Sequence, residues 1–250
     1  MTDTHCHLID PQFHKDLDEV IFRAKKSGIT RIINIGYDLP TSRAAIEINS
    51  NYPWILPAIG FHPNETAEDS ITKIPHLEDI LKEKKVIAVG ETGLDYYRDF
   101  SPKKAQQELF RQHISLAKRY QLPLIIHTRN SFEDVVKILR EEKYDRGVFH
   151  CYSGTYEQAK EIISLGFYLG FGGVLTYSRR VREVFQRLPL NCILLETDAP
   201  FLSPQGHRGE RNEPAFITET VNVASAIHKM HPEELTEITD QNAQRLFMPE

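Results

Sequence analysis

Short apolar runs alternate along the chain with longer amphipathic stretches. The short runs are Asp3–His7, Arg31–Ile35, Ile55–Gly60, Val86–Glu91, Leu124–His127, Gly147–Cys151, Phe167–Phe171 and Ile193–Thr197. Several are nearly unbroken in apolar residues, as in Ile32-Ile33-Asn34-Ile35 and Val86-Ile87-Ala88-Val89. A strand with one wet face alternates; runs like these fit parallel strands covered on both faces. The stretches between them carry the helical period. Leu17, Val20, Ile21 and Ala24 share one helix face, and Gly28 follows as a stop. Val181, Val184, Phe185 and Leu188 repeat the spacing before Pro189. Phe110, Ile114 and Ala117 mark a long helix ahead of Leu122-Pro123, and two more helices are expected near Pro214–Lys229 and Pro232–Phe247.

Strands alternating with helices build βαβ units and a parallel sheet. Eight such units favour an α/β fold closed as a (β/α)8 TIM-type barrel over a doubly wound open sheet. A length of 250 residues suits one such barrel. No repeat, low-complexity segment or long linker divides the chain, so residues 1–250 are expected to form a single domain.

Composition narrows the function classes without naming one. A formal charge of −5 argues against wholesale coating of nucleic acid and leaves room for a local basic pocket. The three cysteines form no CxxC pair, which excludes a zinc ribbon or thioredoxin motif and fits a reducing compartment. Residues 1–8 lack the basic and apolar regions of a signal peptide, and no apolar run approaches the ~18–20 residues of a membrane span. A cytoplasmic protein without membrane contact is expected, a monomer by default.

The placement of ionisable residues carries the chemistry. His5 and His7 close the first run, Glu91 the fourth, His127 the fifth, His150 lies at the end of the sixth, and Asp198 follows the eighth. In an α/β barrel the C-terminal strand ends ring one mouth, where catalytic groups gather. His5 and His7 share a strand face, and the same parity turns Cys6, and likewise Cys151 beside His150, outward. An open catalytic ion usually takes three protein ligands plus water. Six ligands therefore suit a pair of ions, roughly 3.5–4 Å apart, sharing a carboxylate. Glu91 is the natural bridge, as the carboxylate among the middle strand ends. Imidazole-rich ligation favours zinc, manganese, nickel or iron over magnesium.

The motifs around these residues resemble a known family. Asp3-Thr4-His5-Cys6-His7-Leu8, Gly60-Phe61-His62-Pro63, Gly90-Glu91-Thr92-Gly93-Leu94-Asp95-Tyr96-Tyr97, His150-Cys151-Tyr152-Ser153-Gly154 and Glu196-Thr197-Asp198-Ala199-Pro200 look like those of the TatD-type metal-dependent deoxyribonucleases, in the amidohydrolase superfamily. The likeness runs through Asn242-Ala243-Gln244-Arg245-Leu246-Phe247. It implies a TIM-type barrel, two divalent cations with magnesium or manganese support, and hydrolysis of DNA phosphodiesters, often from the 3′ end.

For that chemistry Asp198 would ligate one ion and accept the proton of the attacking water, while Glu91 holds the ions together. Arg211 and Arg129 are candidates for the equatorial phosphate oxygens, since guanidinium suits bidentate phosphate contacts. Ser153 and His62 are further candidates for phosphate contact. Glu196 shares parity with Asp198 and is expected to orient a ligand histidine, with Asp95 in a similar supporting role. Gly170, Gly172 and Gly173 read as a tight turn. DNA is the expected substrate, with RNA open. The competing reading is an amidohydrolase-type enzyme acting on a small amide, lactone or phosphoester. Many of those bridge their ions with a carboxylated lysine, and no lysine ends a strand here. A third reading, a metal that merely plugs the fold, calls for a closed site rather than one with water positions.

Overall fold

In the computed structural model, which describes residues 1–65, 71–83, 86–98 and 100–249, eight parallel strands lie in sequential order. They are β1 (Thr2–Cys6), β2 (Arg31–Ile35), β3 (Ile55–Ile59), β4 (Ala88–Asp95), β5 (Leu124–Arg129), β6 (Gly147–Phe149), β7 (Tyr168–Phe171) and β8 (Ile193–Leu195). Beyond β8 the extended chain reaches back to β1. Asp198 N–H donates to His5 O (2.9 Å) and His7 N–H to Ala199 O (2.8 Å), which closes the barrel.

The helices are α1 (Leu17–Lys26), α2 (Leu39–Asn51), α3 (Ile74–Glu83), α4 (Lys103–Tyr120), α5 (Phe132–Glu142), α6 (Tyr156–Ser164), α7 (Arg179–Phe185), α8 (Ile217–His228) and α9 (Pro232–Phe247). α1 buries Val20, Ile21 and Ala24, the face its spacing marked. Each large apolar side chain so buried contributes about 1.5–3 kcal/mol. Pro214–Phe216 forms a 3-10 turn, so α8 starts later than its sequence suggests. α7 ends at Phe185, short of Leu188. Among the described residues no helix is long and apolar enough to cross a membrane.

Two apolar layers follow from strand parity. Ile32, Ile126, Phe149 and Leu195 join the large cluster under the helices, and Cys6 lies there too, fully buried. Ile33, Ile35, Ile125, Val148 and Leu194 face the other way and form a smaller cluster closed off by Ala243, Leu246 and Phe247 of α9. His127, His150 and Asp198 continue the inward faces of β5, β6 and β8. The apolar plug thus fills one end of the barrel and leaves the other end to polar groups.

Most strands end a residue or two from their expected bounds, so that His7, His150 and Asp198 lie just past β1, β6 and β8, and the fourth departs furthest. The fourth runs over Ala88–Asp95 instead of Val86–Glu91, so Glu91 sits within it and Asp95 ends it. Its pairing with β5 shifts register between Val89 and Thr92. Gly93, at φ 134°, makes this possible: a Cβ there would overlap the carbonyl oxygen of His127. The missing side chain lets β4 press against β5 and brings Glu91 beside His127.

Candidate metal centre

Along β1 and the residue that follows it, Asp3, His5 and His7 share the inward face. Asp3 accepts hydrogen bonds from Thr197 Oγ1 (2.6 Å), Thr197 N (3.0 Å) and His5 N (3.3 Å). It thereby ties β1 to the segment that leads into Asp198. Burial pushes its carboxyl up to about 7, against the pull of those bonds.

Above Asp3 the six residues marked by the sequence come together. His5 Nε2 lies 3.1 Å from His7 Nε2, 3.4 Å from Glu91 Oε2 and 3.6 Å from Asp198 Oδ1. His7 Nε2 is 3.6 Å from Glu91 Oε2 and 3.5 Å from Asp198 Oδ1. The other carboxylate oxygen, Glu91 Oε1, is 2.8 Å from His127 Nδ1 and 2.7 Å from His150 Nε2. Glu91 therefore turns one oxygen to each of two ligand sets. His5, His150 and Asp198 make a further converging trio.

Hydrogen-bond partners assign the tautomers. His7 Nδ1 donates to Ile35 O (3.0 Å), which leaves a lone pair on Nε2. His127 Nε2 faces Asp95 Oδ2 (3.3 Å), which leaves the lone pair on Nδ1. In those neutral tautomers the lone pairs point at carboxylate oxygens. Such an arrangement is repulsive unless a cation shares the space. Ligand atoms about 2.1 Å from one ion stand on the order of 3.0–3.4 Å apart, close to the spacings here. The imidazole and carboxylate donors suit a divalent ion, so the residues fit the group.

The electrostatics agree. Burial favours neutral imidazole, yet at His7 the neighbouring Asp198 and Glu91 win and raise its pKa. At His127 burial is likewise outweighed by Asp95 and Glu91, and at His150 by Glu91 and Glu196. His5 goes down, through burial and the adjacent His150. Burial works against ionised Glu91, but His150, His62 and His127 hold it well below the usual range. Asp198 is held low mainly by His7, again against burial. The pocket is a field that attracts positive charge.

His62 also reaches the cluster, with Nε2 3.5 Å from Glu91 Oε1 and 3.4 Å from His127 Nδ1. Its Nδ1 accepts the Asn64 N–H (3.0 Å), so neutral His62 carries its proton on Nε2. It faces the centre as a donor rather than as a ligand. Burial pushes its pKa down to about 3, which keeps it neutral.

The supporting carboxylates lie where each can brace a histidine. Asp95 is buried against His127 and accepts N–H groups from Tyr97 (2.9 Å) and Arg98 (3.1 Å). Glu196 Oε1 lies 3.7 Å from His150 Nδ1 and accepts the Cys151 N–H (2.6 Å). Gly170 leaves room for Glu196, since a Cβ at Gly170 would overlap Oε2.

The phosphate candidates divide. Arg129 is exposed at the end of β5, stacked over Tyr97 with 3.9 Å from Cζ to the ring centroid. Ser153 is exposed near His150, its carbonyl accepting from Arg180 (2.8 Å). Arg211 does not join them. Its guanidinium is held by both oxygens of Asp16 (2.8 and 2.7 Å), by Glu213 (2.9 Å) and by Gln12 O (2.6 Å). Its loop does follow β8, but the carboxylates of α1's approach and of Glu213 claim the side chain first.

Sequence reasoning missed several positioning residues. Asp3 carried a signal, being on the same strand face as His5 and His7. His113 carried none: it is buried on α4, accepts the Phe61 N–H on Nε2 (3.0 Å) and donates from Nδ1 to Leu109 O (2.8 Å). It fixes the segment that presents His62. Asn212 donates to Thr197 O (2.8 Å) and Phe201 O (2.6 Å), bracing the turn around Asp198.

Known proteins resemble this chain in sequence and fold. The model of the TatD related DNase family matches residues 2–248. The uncharacterized metal-dependent hydrolase YabD of Bacillus subtilis (strain 168) is 42% identical over 249 residues, covering 98% of each chain. The crystal structure of YjjV, a TatD homologue from Escherichia coli K12, superposes with a TM-score of 0.94 at 32% identity, over 99% of this chain and 97% of that one. A TatD family hydrolase from Entamoeba histolytica gives 0.90 at 26% identity, over 100% and 98%. With a full-length family match, relatives named as metal-dependent hydrolases, and the same barrel, the chain belongs to the TatD-related DNase family.

Proposed function

We propose that this protein hydrolyses DNA phosphodiester bonds with a pair of divalent cations, held by His5, His7 and Asp198 on one side and His127 and His150 on the other, with Glu91 between. The observation that carries this reading is the split of Glu91, one oxygen facing each ligand set. When bound, such a pair lowers the pKa of a water and neutralises charge on the phosphate.

The chain's own groups supply the rest. Asp198, held ionised, accepts the proton of the attacking water. His62 donates from Nε2 to a phosphate oxygen. Arg129 forms no ion pair among the described residues, so its guanidinium is available to the phosphate backbone beside the centre. Asp95 and Glu196 keep His127 and His150 in the orientation that presents a lone pair inward. Arg211, neutralised by Asp16 and Glu213, takes no part.

The test is degradation of single-stranded DNA by purified protein with added manganese or magnesium. Products should shorten with time, stop with chelator, and vanish in Asp198→Asn at unchanged folding by circular dichroism. Intact DNA, together with metal-dependent hydrolysis of a lactone or amide, would replace the substrate assignment with the amidohydrolase one.

A further inference from the structure

A cavity of about 580 Å³ opens between the segments that follow β5 and β6, and His150 forms part of its wall. We propose that it is a nucleotide subsite, holding the nucleotide next to the scissile bond by that nucleotide's own phosphate and base. The proposal rests on the phosphodiester reading and adds where the substrate's flanking group goes.

Position comes first. His150 belongs both to the metal centre and to this wall. A substrate with phosphorus at the centre can reach this cavity past His150. The volume falls in the range of pockets that bury small ligands, roughly 300–1,000 Å³.

The wall chemistry selects a phosphorylated group. Arg129 and Arg180 both line the cavity, and neither forms an ion pair among the described residues. Arg180 is exposed and donates only to the Ser153 carbonyl (2.8 Å), which orients its guanidinium without neutralising it. Two uncompensated guanidiniums beside one cavity are suited to phosphate oxygens. Contrast the Arg211 cluster, where carboxylates have used up that capacity. Asp134 on the same wall is already engaged, its Oδ2 accepting from Tyr96 (2.7 Å) and Gln107 (3.0 Å). Asn130 and Glu133 provide amide and carboxylate edges for a base. Thr155 caps α6 through a capping box with Gln158 and so fixes Ser153 and Gly154 at the cavity's edge.

The experiment is calorimetric binding to the metal-loaded protein of two probes, deoxythymidine 5′-monophosphate and inorganic phosphate. Both can meet the metal centre; only the nucleotide can fill the cavity. The wild type should bind the nucleotide at least about tenfold more tightly than phosphate. Arg180→Glu should remove most of that preference, and Arg180→Lys should keep part of it. Because Arg180 is exposed, neither change threatens the fold. Equal affinity for the two probes in the wild type, or a preference that survives Arg180→Glu, would overturn the subsite. A nucleotide preference in a protein that leaves DNA uncut would support the subsite and overturn the nuclease reading. DNA cleavage without that preference would do the reverse.

Discussion

Two ionisable clusters sit on this barrel, and they differ in how charge is balanced. In the Arg211 cluster, Arg211 and Arg23 face Asp16 and Glu213 at 2.7–3.4 Å, two guanidiniums against two carboxylates. Every charge has a partner within the chain. At the metal centre Glu91 and Asp198 face imidazoles whose assigned tautomers offer lone pairs. That cluster holds its balance with bound positive charge, either protons on His7, His127 and His150 or a cation in their place. Counting acidic and basic residues does not separate the two; hydrogen-bond direction and tautomer do.

The sharpest way to break this contrast is to remove the shared carboxylate. Glu91→Gln should cost about a thousandfold in turnover, equivalent to about 4 kcal/mol of transition-state stabilisation. Steady-state kinetics with saturating metal would show it. Activity within tenfold of wild type would mean that Glu91 does not join two ions.

His113 is an imidazole of a third kind, neutral and fully hydrogen-bonded away from any carboxylate. Burial lowers its pKa from 6.5 to about 4. Its folded-state pKa lies below the unfolded value, so its contribution is complete above about pH 6.5 and is lost as pH falls toward 4. Across that window the loss should reach about 3 kcal/mol. Urea unfolding of wild type and His113→Gln at pH 7 and pH 4.5 would measure it. The variant should lose part of the pH dependence; identical pH dependence would contradict a neutral, buried His113.

Asp95→Asn should weaken metal binding by about 10–100-fold without unfolding the chain, since His127 loses the carboxylate that sets its tautomer. Competition with a chromogenic chelator reads that directly. Unchanged affinity would show that His127 is held by other means. The smallest effect on chemistry belongs to Arg211→Ala. It should lower stability by about 1–2 kcal/mol, because Asp16 and Glu213 lose a part-buried partner, while turnover stays within about threefold. A large fall in turnover at unchanged stability would return Arg211 to the phosphate site.

The fold was legible because its signals are local. Unbroken apolar runs, helical spacing in Val20, Ile21 and Ala24, and breakers such as Gly28 and Pro189 each act over a few residues. The convergence of His5, His7, Glu91, His127, His150 and Asp198 was legible too, because barrel topology sends every strand's C-terminal end to one mouth. Strand four was misjudged because its end is set by close packing: Gly93 lets the strand continue beside β5 where an apolar pattern has already stopped. Arg211 lies against partners that its sequence position does not announce, for a related reason. Its position in sequence, after strand eight, is correct, but its partner Asp16 lies 195 positions away. No local pattern reveals which charge a long side chain will meet. His113 was invisible because a histidine on a helix carries no sign of the backbone N–H it will accept.

The central claim is that Glu91 joins two cations in one site. Metal stoichiometry by mass spectrometry, on wild type and Glu91→Gln reconstituted with manganese or zinc, tests it most directly. Two equivalents per chain are expected for the wild type and at most one for the variant. A single equivalent in the wild type, or two retained in the variant, would contradict it.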